Sequence, residues 1–380
     1  MARSIPALVT PSLLVHARTT AGFELDAAAR HLKVTVEQFE AWERGQPGLT
    51  MARLKKLSAL YRRPQSYFYL PSPPSERPGA TDFRSTRAED EETHVALRLQ
   101  IRRIQELREV AVRLEAESDS QTRTDLPSGS TEDNPTGLAT RLRTWLGIEL
   151  REQLAWKDAA EAFRAWRSRL EERGVLVFQF TGVPVSVARG FSVSGERLPA
   201  IAVNSQDPPV ARAFTAMHEL AHLSLRAAGV CDFAGKREGV ERFCNLVAAE
   251  VLIPTEALRR QLPEAATVDV VQLAKDFKVS REAMALRLIA AKRLDWSAYE
   301  GFRTRHLKEV EEERARQKAK QREGGPEFTR LVVTNLGHRF LRLVLDAYND
   351  GTVTAPEFKD YTNVRVTGVE KLQAMVGEGP

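Results

Sequence analysis

The pattern His-Glu-x-x-His within residues 213–225 places the strongest constraint on how this chain can fold. The segment reads AFTAMHELAHLSL, and the spacing of its apolar residues predicts an amphipathic helix. Because a helix turns every 3.6 residues, His218 and His222 lie on one face and their ring nitrogens can bind the same metal ion. Glu219 lies beside them, where a carboxylate can take a proton from a water on the metal. The pattern predicts a zinc site of the hydrolytic kind, and the fold has to bring a third ligand to this helix.

A second predicted helix offers that third ligand. Residues 237–254 read REGVERFCNLVAAEVLIP, and their candidate ligands are Glu238, Glu241, Cys244 and Glu250. The packed side of this helix is expected to consist of Phe243, Leu246, Val247 and Val251. Glu241 and Asn245 form an i, i+4 pair on a neighbouring face. We therefore favour Glu241 as the ligand and Asn245 as a supporting hydrogen-bonding residue, with Glu250 as the second choice.

A small sheet is predicted just before the histidine-bearing helix. Three β-rich runs, bounded by Gly and Pro, are VLVFQF at 175–180, ARGFSVSG at 188–195 and LPAIAVNS at 198–205. Helices are expected before them, at 138–146 and 158–173, and after them as far as residue 290. We expect the run at 198–205 to have an exposed edge that could hold a substrate as an added strand.

Four of these segments together resemble the ImmA/IrrE family of regulatory zinc peptidases. They are HELAH at 218–222, ERFCNLVAAEVLIP at 241–254, AIAVNS at 200–205 and VSREAMALRL at 279–288. The resemblance covers roughly residues 174–288. It implies that His218, His222 and Glu241 bind Zn²⁺ and that Glu219 is the catalytic base. It also implies a protein substrate, because members of the family characteristically cut a helix-turn-helix repressor and so release stress, phage or mobile-element genes.

The N-terminal segment predicts four short helices in about sixty residues. Residues 25–32 have helical spacing, Thr35 is a good N-cap for a helix that runs to Arg44, and Gly45 supplies a left-handed stop. Thr50 can cap a further helix. Phe39 and Trp42 are expected in the core, and Glu43 and Arg44 are expected to pair with each other.

Residues 17–60 resemble an Xre/Cro-type helix-turn-helix, through the sequence AGFELDAAARHLKVTVEQFEAWERGQ at 21–46. The resemblance makes 35–44 the recognition helix, with Thr35 and Gln38 in the turn that faces base edges. The phosphate contacts would be Arg30, Lys33 and Arg44. Two positions depart from the family pattern, because Leu25 replaces the usual phosphate-binding glutamine and Lys33 replaces the usual turn glycine. Double-stranded DNA and a protein therefore remain alternative partners of this module.

The remaining segments suggest the domain organisation. We place the helix-turn-helix at 1–72, a linker with a long helix and a mobile loop at 73–137, the zinc peptidase domain at 138–302, and a charged linker with a helical module at 303–380. The long helix is predicted from Val95 to Leu114, with apolar residues at spacings of three and four from Leu97 to Leu114. That seam is expected to pack on its own chain, with a homodimer as the alternative. The fold class is α+β, with a zincin-like core between two helical parts.

Composition limits the function classes but does not select one. The net charge is +5, and residues 1–70 contain ten lysines and arginines against five acidic residues, a balance that permits contact with nucleic acid. Hydrophobic residues make up 42% of the chain, and none of the apolar runs has the length of a membrane span. Two cysteines and the lack of a continuous apolar signal segment favour a soluble protein of the cytoplasm with no membrane partner.

Three functional hypotheses follow, the third of which is an antitoxin-like or assembly module in which neither activity matters. The first is a zinc endopeptidase with a helix-turn-helix module that cleaves a regulator such as a transcriptional repressor. The second is a DNA-binding transcriptional regulator whose metal site is structural or silent. Metal analysis and replacement of Glu219 would separate the first from the other two.

Overall fold

The computed structural model describes residues 5–74, 91–117, 124–225, 237–262, 268–297, 299–300 and 327–377. The chain divides into two compact units. One consists of Met1–Glu106 with Gly182–Ala188, and the other of Leu107–Thr181 with Arg189–Pro380. Residues 75–90 and 118–123 of the predicted linker, and residues 303–323 of the predicted charged linker, lie outside the described residues. The mixture of many helices with one small sheet confirms the α+β class.

The first unit begins with the predicted short helices. They are α1 (Pro11–Ala21), α2 (Leu25–Leu32), α3 (Val36–Glu43) and α4 (Met51–Tyr61), followed by a 3₁₀ turn (Gln65–Tyr69). The long helix α5 (Glu91–Glu117) begins in the first unit and ends in the second. Phe39 and Trp42 are buried, as predicted. All six apolar positions of the predicted α5 seam are also buried, in agreement with intrachain packing: Leu97, Ile101, Ile104, Leu107, Ala111 and Leu114.

Side-chain caps determine where α3 and α4 begin. The Thr35 hydroxyl accepts a hydrogen bond from the Gln38 N–H at 3.2 Å, and the Gln38 side chain accepts one from the Thr35 N–H at 3.4 Å, so the two residues form a capping box. Thr50 caps α4 in the same way by accepting from the Arg53 N–H. Gly45 has a φ of 83°, the left-handed conformation that ends α3.

The predicted pairing of Glu43 with Arg44 is wrong. Glu43 instead accepts two hydrogen bonds from Arg18 of α1, at 2.8 and 3.1 Å, and both side chains are largely buried. Arg44 pairs with Glu40, one helical turn away, at 3.1 Å. Adjacent helical residues point about 100° apart, which is why i, i+4 partners replace the i, i+1 pair.

The turn between α2 and α3 places a lysine in a conformation that favours glycine. Lys33 has φ 55° and ψ 50°, in the left-handed region. This conformation costs an L-residue about 1 kcal/mol relative to glycine because its Cβ crowds the following carbonyl oxygen. The backbone of this turn therefore adopts a conformation that its lysine disfavours.

Replacing Lys33 with glycine should therefore stabilise the α2–α3 turn by up to about 1 kcal/mol, less a small loss from the greater freedom of glycine in the unfolded chain. Hydrogen exchange of the amides in α2 and α3, measured on the full chain, should slow accordingly. Lys33→Ala is the control, because it removes the charge but keeps the Cβ. Equal protection in the two variants would show that charge rather than backbone strain governs the effect.

The second unit carries the remaining elements in the predicted order. Before the sheet lie α6 (Pro135–Leu146), α7 (Leu150–Ala155) and α8 (Ala159–Glu172). The strands are β1 (Leu176–Phe180), β2 (Gly190–Val193) and β3 (Ala200–Asn204). Then come α9 (Pro209–Ser224), α10 (Arg237–Leu252), α11 (Thr255–Gln261), α12 (Val270–Phe277) and α13 (Arg281–Ala290). The last helices are α14 (Phe328–Leu336), α15 (His338–Asn349), α16 (Ala355–Thr362) and α17 (Val369–Gly377), with a 3₁₀ turn at Val366–Gly368.

The strand order corrects one expectation about substrate binding. β3 is the central strand, parallel to β1 on one side and antiparallel to β2 on the other. Its hydrogen-bonding edges are both used, so residues 198–205 do not provide the exposed edge predicted from the sequence. Within the described residues the outer strands of this sheet are β1 and β2. The position of β2 matters for the site, because β2 also packs on α9.

The core of this unit holds α9 between the sheet and two helices. α9 packs against α8, α10, β2 and β3, and α10 packs against α6. Ala213, Met217 and Leu220 of α9 are buried in the same cluster as Val247 and Val251 of α10. Leu246, predicted on the packed side of α10, is instead 40% exposed. The two helices are therefore held in fixed register by apolar contacts.

The C-terminal helices are attached to this core through a polar contact. The carbonyl oxygen of Thr334 accepts hydrogen bonds from Gln179 of β1, at 3.0 Å, and from Arg167 of α8, at 2.5 Å. Gly337 has a φ of 84°, and a Cβ there would meet the Glu171 side chain and lie 2.8 Å from Nη2 of Arg167. Glycine is thus required at this close approach.

Candidate metal centre

Helix α9 brings the two histidines onto one face. Pro209 occupies the first turn, where a missing N–H has no cost, and the apolar face that packs on the core fixes the rotation of the helix. The side chains of His218 and His222 are 14% and 20% exposed, and their ring centroids lie 4.7 Å apart. The two imidazoles therefore lie edge to face, one helical turn apart, at the surface of the core.

Three ligand atoms converge where α9 meets α10. Nε2 of His218 lies 3.0 Å from Nε2 of His222. The Glu241 carboxylate reaches both rings, with Oε2 3.2 Å from Nε2 of His218 and Oε1 3.4 Å from Nε2 of His222. In the described part of the chain, these three residues make up the one group of histidine, cysteine, aspartate and glutamate side chains spaced to hold a metal ion.

These distances fit a zinc ion. Ligands bound to zinc at ~2.0–2.1 Å in a tetrahedral arrangement lie about 3.3 Å from one another. The observed separations of 3.0, 3.2 and 3.4 Å match the edges of such a tetrahedron. Two imidazoles and one carboxylate are also a donor set that zinc prefers in catalytic sites, where a fourth position stays open.

Glu219 lies beside this group without belonging to it. Its side chain is buried, at 8% exposure, and its Oε2 atom accepts a hydrogen bond from the Ser192 hydroxyl at 2.8 Å. Ser192 is on β2, so the carboxylate is held between the sheet and the metal-bearing helix. Sequence reasoning missed Ser192, because nothing local in GFSV indicates which helix that strand faces.

The charged groups of the site shift one another's pKa values. Burial alone would lower the pKa of His222, but hydrogen bonds with Cys244 and Glu241 and the negative charge of Glu219 outweigh it and raise this pKa to about 10. The hydrogen bonds with His218 and His222 hold the pKa of Glu241 well below its usual range. Glu241 and Glu219 therefore stabilise the positive charge of a protonated His222. A bound zinc ion would supply the positive charge in place of that proton.

The other candidate ligands on α10 take different positions. Glu250 is buried and bound by Thr255, whose N–H and hydroxyl both donate to it at 2.8 Å, and it pairs with Arg287. It is therefore part of the packing of α11 and α13 on α10. Cys244 is buried beside His222, and burial raises the pKa of its thiol. Glu238 is exposed.

Asn245 is exposed, and its side chain makes no hydrogen bond among the residues that the structure describes. Its role as a supporting hydrogen-bonding residue therefore stays a prediction. The nearest observed support for the site comes from Ser192 instead, through Glu219.

The residues predicted to contact DNA lie on the first unit. Thr35 and Gln38 begin α3, where their side chains are engaged in the capping box. Arg30 is 71% exposed and pairs with Asp26, and Arg44 is 58% exposed and pairs with Glu40. The exposed Glu37 hydrogen-bonds its own backbone N–H and Thr35, which lowers its pKa and keeps it negative at the start of α3.

Two imidazoles and a carboxylate from adjacent helices of an α+β core define a candidate metal centre with a glutamate beside it. Residues 170–289 match the family model described as Peptidase_M78: IrrE N-terminal-like domain. This stretch, about a third of the chain, is thus similar to the ImmA/IrrE metallopeptidase domain, and it contains His218, Glu219, His222 and Glu241. A search of the curated proteins and of the solved structures finds no match to the chain. Within the described residues, none of the helices combines the length and apolar character needed to span a membrane.

Proposed function

We propose that this chain is a zinc-dependent endopeptidase that cleaves a regulatory protein. The observation that carries the proposal is the convergence of His218, His222 and Glu241 at zinc-ligand spacing, with the carboxylate of Glu219 alongside. The metallopeptidase domain at 170–289 supports the same reaction class.

Each residue of the site has one role in this proposal. His218, His222 and Glu241 would hold the zinc ion. When bound, zinc would polarise the scissile carbonyl and lower the pKa of a water molecule. Glu219 accepts the proton of that water and returns it to the leaving amine, as a general base and then a general acid. Its burial against the sheet shields the proton transfer from bulk water.

We further propose that the substrate is a helix-turn-helix repressor and that cleavage controls stress, phage or mobile-element genes. The resemblance of residues 174–288 to regulatory peptidases supports this choice, as does the presence of a helix-turn-helix-like segment in the same chain. A substrate of that kind would place the enzyme in the cytoplasm.

The test combines metal analysis with a search for cleavage products. The zinc-loaded chain is incubated with the repressor encoded beside its gene and, separately, with a lysate of its host, and new protein N-termini are identified by mass spectrometry. We expect about one zinc per chain and one new N-terminus in a regulator, which does not form with Glu219→Gln. If the wild type and the Glu219→Gln variant produce the same new N-termini, or if neither produces any, the alternative of a regulator with a structural or silent metal site is favoured.

For the first unit we propose contact with double-stranded DNA. The support is the α2–α3 pair, joined by a tight turn and capped at Thr35, together with the basic balance of residues 1–70. Arg30, Lys33 and Arg44 would contact phosphates, and Thr35 and Gln38 would lie at base edges. The negative charge of Glu37 opposes contact with phosphates. A protein partner is therefore the competing proposal.

Replacing Arg30 with alanine should weaken binding to a pool of 24-bp duplexes and reduce the slope of log affinity against log salt by about 0.9, the value for one phosphate contact. Arg260→Ala is a matched control, because Arg260 also forms an exposed i, i+4 pair, with Glu256, at 77% exposure. Fluorescence anisotropy over a range of salt concentrations measures the affinity and its salt dependence for each variant. An Arg30 variant that behaves like the Arg260 variant would favour a protein partner.

A further inference from the structure

A strand of the sheet contacts the glutamate of the metal-bearing helix directly. The hydroxyl of Ser192, at the third position of β2, donates to Oε2 of Glu219 at 2.8 Å. This is the one hydrogen bond of the Glu219 carboxylate among the described residues, and Oε1 has no such partner there. The two carboxylate oxygens of a buried residue are therefore in different environments.

The close approach of β2 to α9 depends on a residue without a side chain. Gly190 and Ser192 are two positions apart in the strand and so face the same side of the sheet. A Cβ on Gly190 would meet Cγ2 of Thr215 on α9 and lie 2.8 Å from the carbonyl oxygen of Ala202. Glycine at this position lets the strand press against the helix, so that the short serine side chain can reach Glu219.

The sheet also fixes where the serine hydroxyl lies. Ser192 is opposite Ile201 in the antiparallel pairing of β2 with β3, and Gly190 is opposite Val203. The N–H of Asn204 donates to the carbonyl oxygen of Arg189 at 2.7 Å and extends this pairing by one bond. Because the donor is on a paired strand rather than a loop, its position relative to α9 is set by backbone hydrogen bonds.

A glutamate that acts as a base needs such a constraint. Its side chain has several rotatable bonds. Without a constraint, the carboxylate moves among several positions, and either of its oxygens can face the reacting proton. Effective proton transfer requires one oxygen at hydrogen-bond distance from the proton that it takes. A hydrogen bond to one oxygen of a charged carboxylate can restrict that motion, since such bonds are among the stronger ones in proteins.

We propose that Ser192 is a positioning residue, which holds Oε2 of Glu219 so that Oε1 is kept free to accept the proton in the reaction. The proposal rests on the proposed function, because it takes Glu219 to be the general base. Ser192 itself touches neither the metal ligands nor the substrate in this scheme. A purely structural role, in which Ser192 only satisfies a buried carboxylate, makes different predictions.

The test uses two small probes of the zinc-loaded full chain. Acetohydroxamic acid binds zinc as an anion and gives its proton to a neighbouring base, so its affinity depends on a correctly placed Glu219. Azide is already an anion and needs no base. Dissociation constants for both are measured by calorimetry, together with zinc content, for the wild type and for five variants: Ser192→Ala, Ser192→Thr, Ser194→Ala, Glu219→Gln and the double variant Ser192→Ala/Glu219→Gln.

We expect Ser192→Ala to weaken the binding of acetohydroxamic acid by about 10-fold, the effect of losing one hydrogen bond to a charged group. Zinc content and azide affinity should stay unchanged. Ser192→Thr keeps the hydroxyl and should restore most of the affinity. Ser194→Ala is the matched control, because Ser194 directly follows β2 and makes no hydrogen bond in the described part of the chain. In the Glu219→Gln background the Ser192→Ala change should have no further effect, since the serine acts through the glutamate.

The possible failures are distinguishable. If Glu219→Gln weakens the binding of acetohydroxamic acid but Ser192→Ala does not, Ser192 is not a positioning residue and the proposed function stands. If Ser192→Ala weakens the binding of azide as much as that of acetohydroxamic acid, or lowers zinc content, the serine is only structural and the inference fails. If Glu219→Gln itself leaves acetohydroxamic acid binding unchanged, Glu219 is not the base, and the proposed function fails with it.

Discussion

Replacing Glu219 with glutamine should reduce cleavage of the protein substrate by about 100- to 10,000-fold, the usual contribution of a general base, while zinc stays bound. Glutamine has nearly the same shape and can still accept the hydrogen bond from Ser192, but it cannot take a proton from water. Glu219 is outside the group of three candidate ligands, so the metal should be retained. Cleavage is followed by gel electrophoresis, and zinc by atomic spectroscopy.

Glu238→Gln provides the matched control for this result. Glu238 is an exposed glutamate on the neighbouring helix α10, and its charge is lost in the same way. That variant should cleave at the rate of the wild type. A Glu219→Gln protein that also kept the full rate would remove the general base from the mechanism.

Replacing His222 with alanine should lower zinc affinity by more than the ~10- to 100-fold that loss of a supporting group costs, because a direct ligand is removed. The remaining pair, His218 and Glu241, would leave two protein ligands where catalytic zinc sites have three. Cleavage should be lost together with the metal. Affinity is measured by competition with a chelator of known zinc affinity, and cleavage is measured in parallel.

Two controls accompany the His222 variant. His31→Ala removes an exposed histidine of the first unit and should leave zinc binding unchanged. Cys244→Ala removes the buried thiol next to His222 and should leave at least most of the affinity, because Cys244 is not one of the three grouped residues. Unchanged affinity in His222→Ala, or zinc loss in Cys244→Ala, would require a different ligand set.

The parts of the site that depend on helical periodicity could be predicted from the sequence. His218 and His222 are four residues apart, so any helix places them on one face. The choice of Glu241 over Glu250 also followed from which face of α10 each residue occupies, and the structure brings Glu241 to both imidazoles. Local spacing is enough for such inferences, because neighbours on a helix face are close in the sequence.

Contacts between distant segments could not be predicted in this way. Ser192 reaches Glu219 only because β2 pairs with β3 and Gly190 allows α9 to approach, and neither relation has a local signal. The order of the strands also lacks a local signal in the sequence. β1 pairs with β3, although β2 is the next strand along the chain. The pairing of Glu43 with Arg18 likewise joins residues 25 positions apart.

The zinc site is tested most directly by a crystal structure of the full chain grown with zinc, with diffraction data collected above and below the zinc absorption edge. We predict an anomalous peak ~2.0–2.2 Å from Nε2 of His218, Nε2 of His222 and a carboxylate oxygen of Glu241, with the carboxylate of Glu219 close to the open position. An anomalous peak elsewhere, or Glu241 turned away from the two imidazoles, would contradict it.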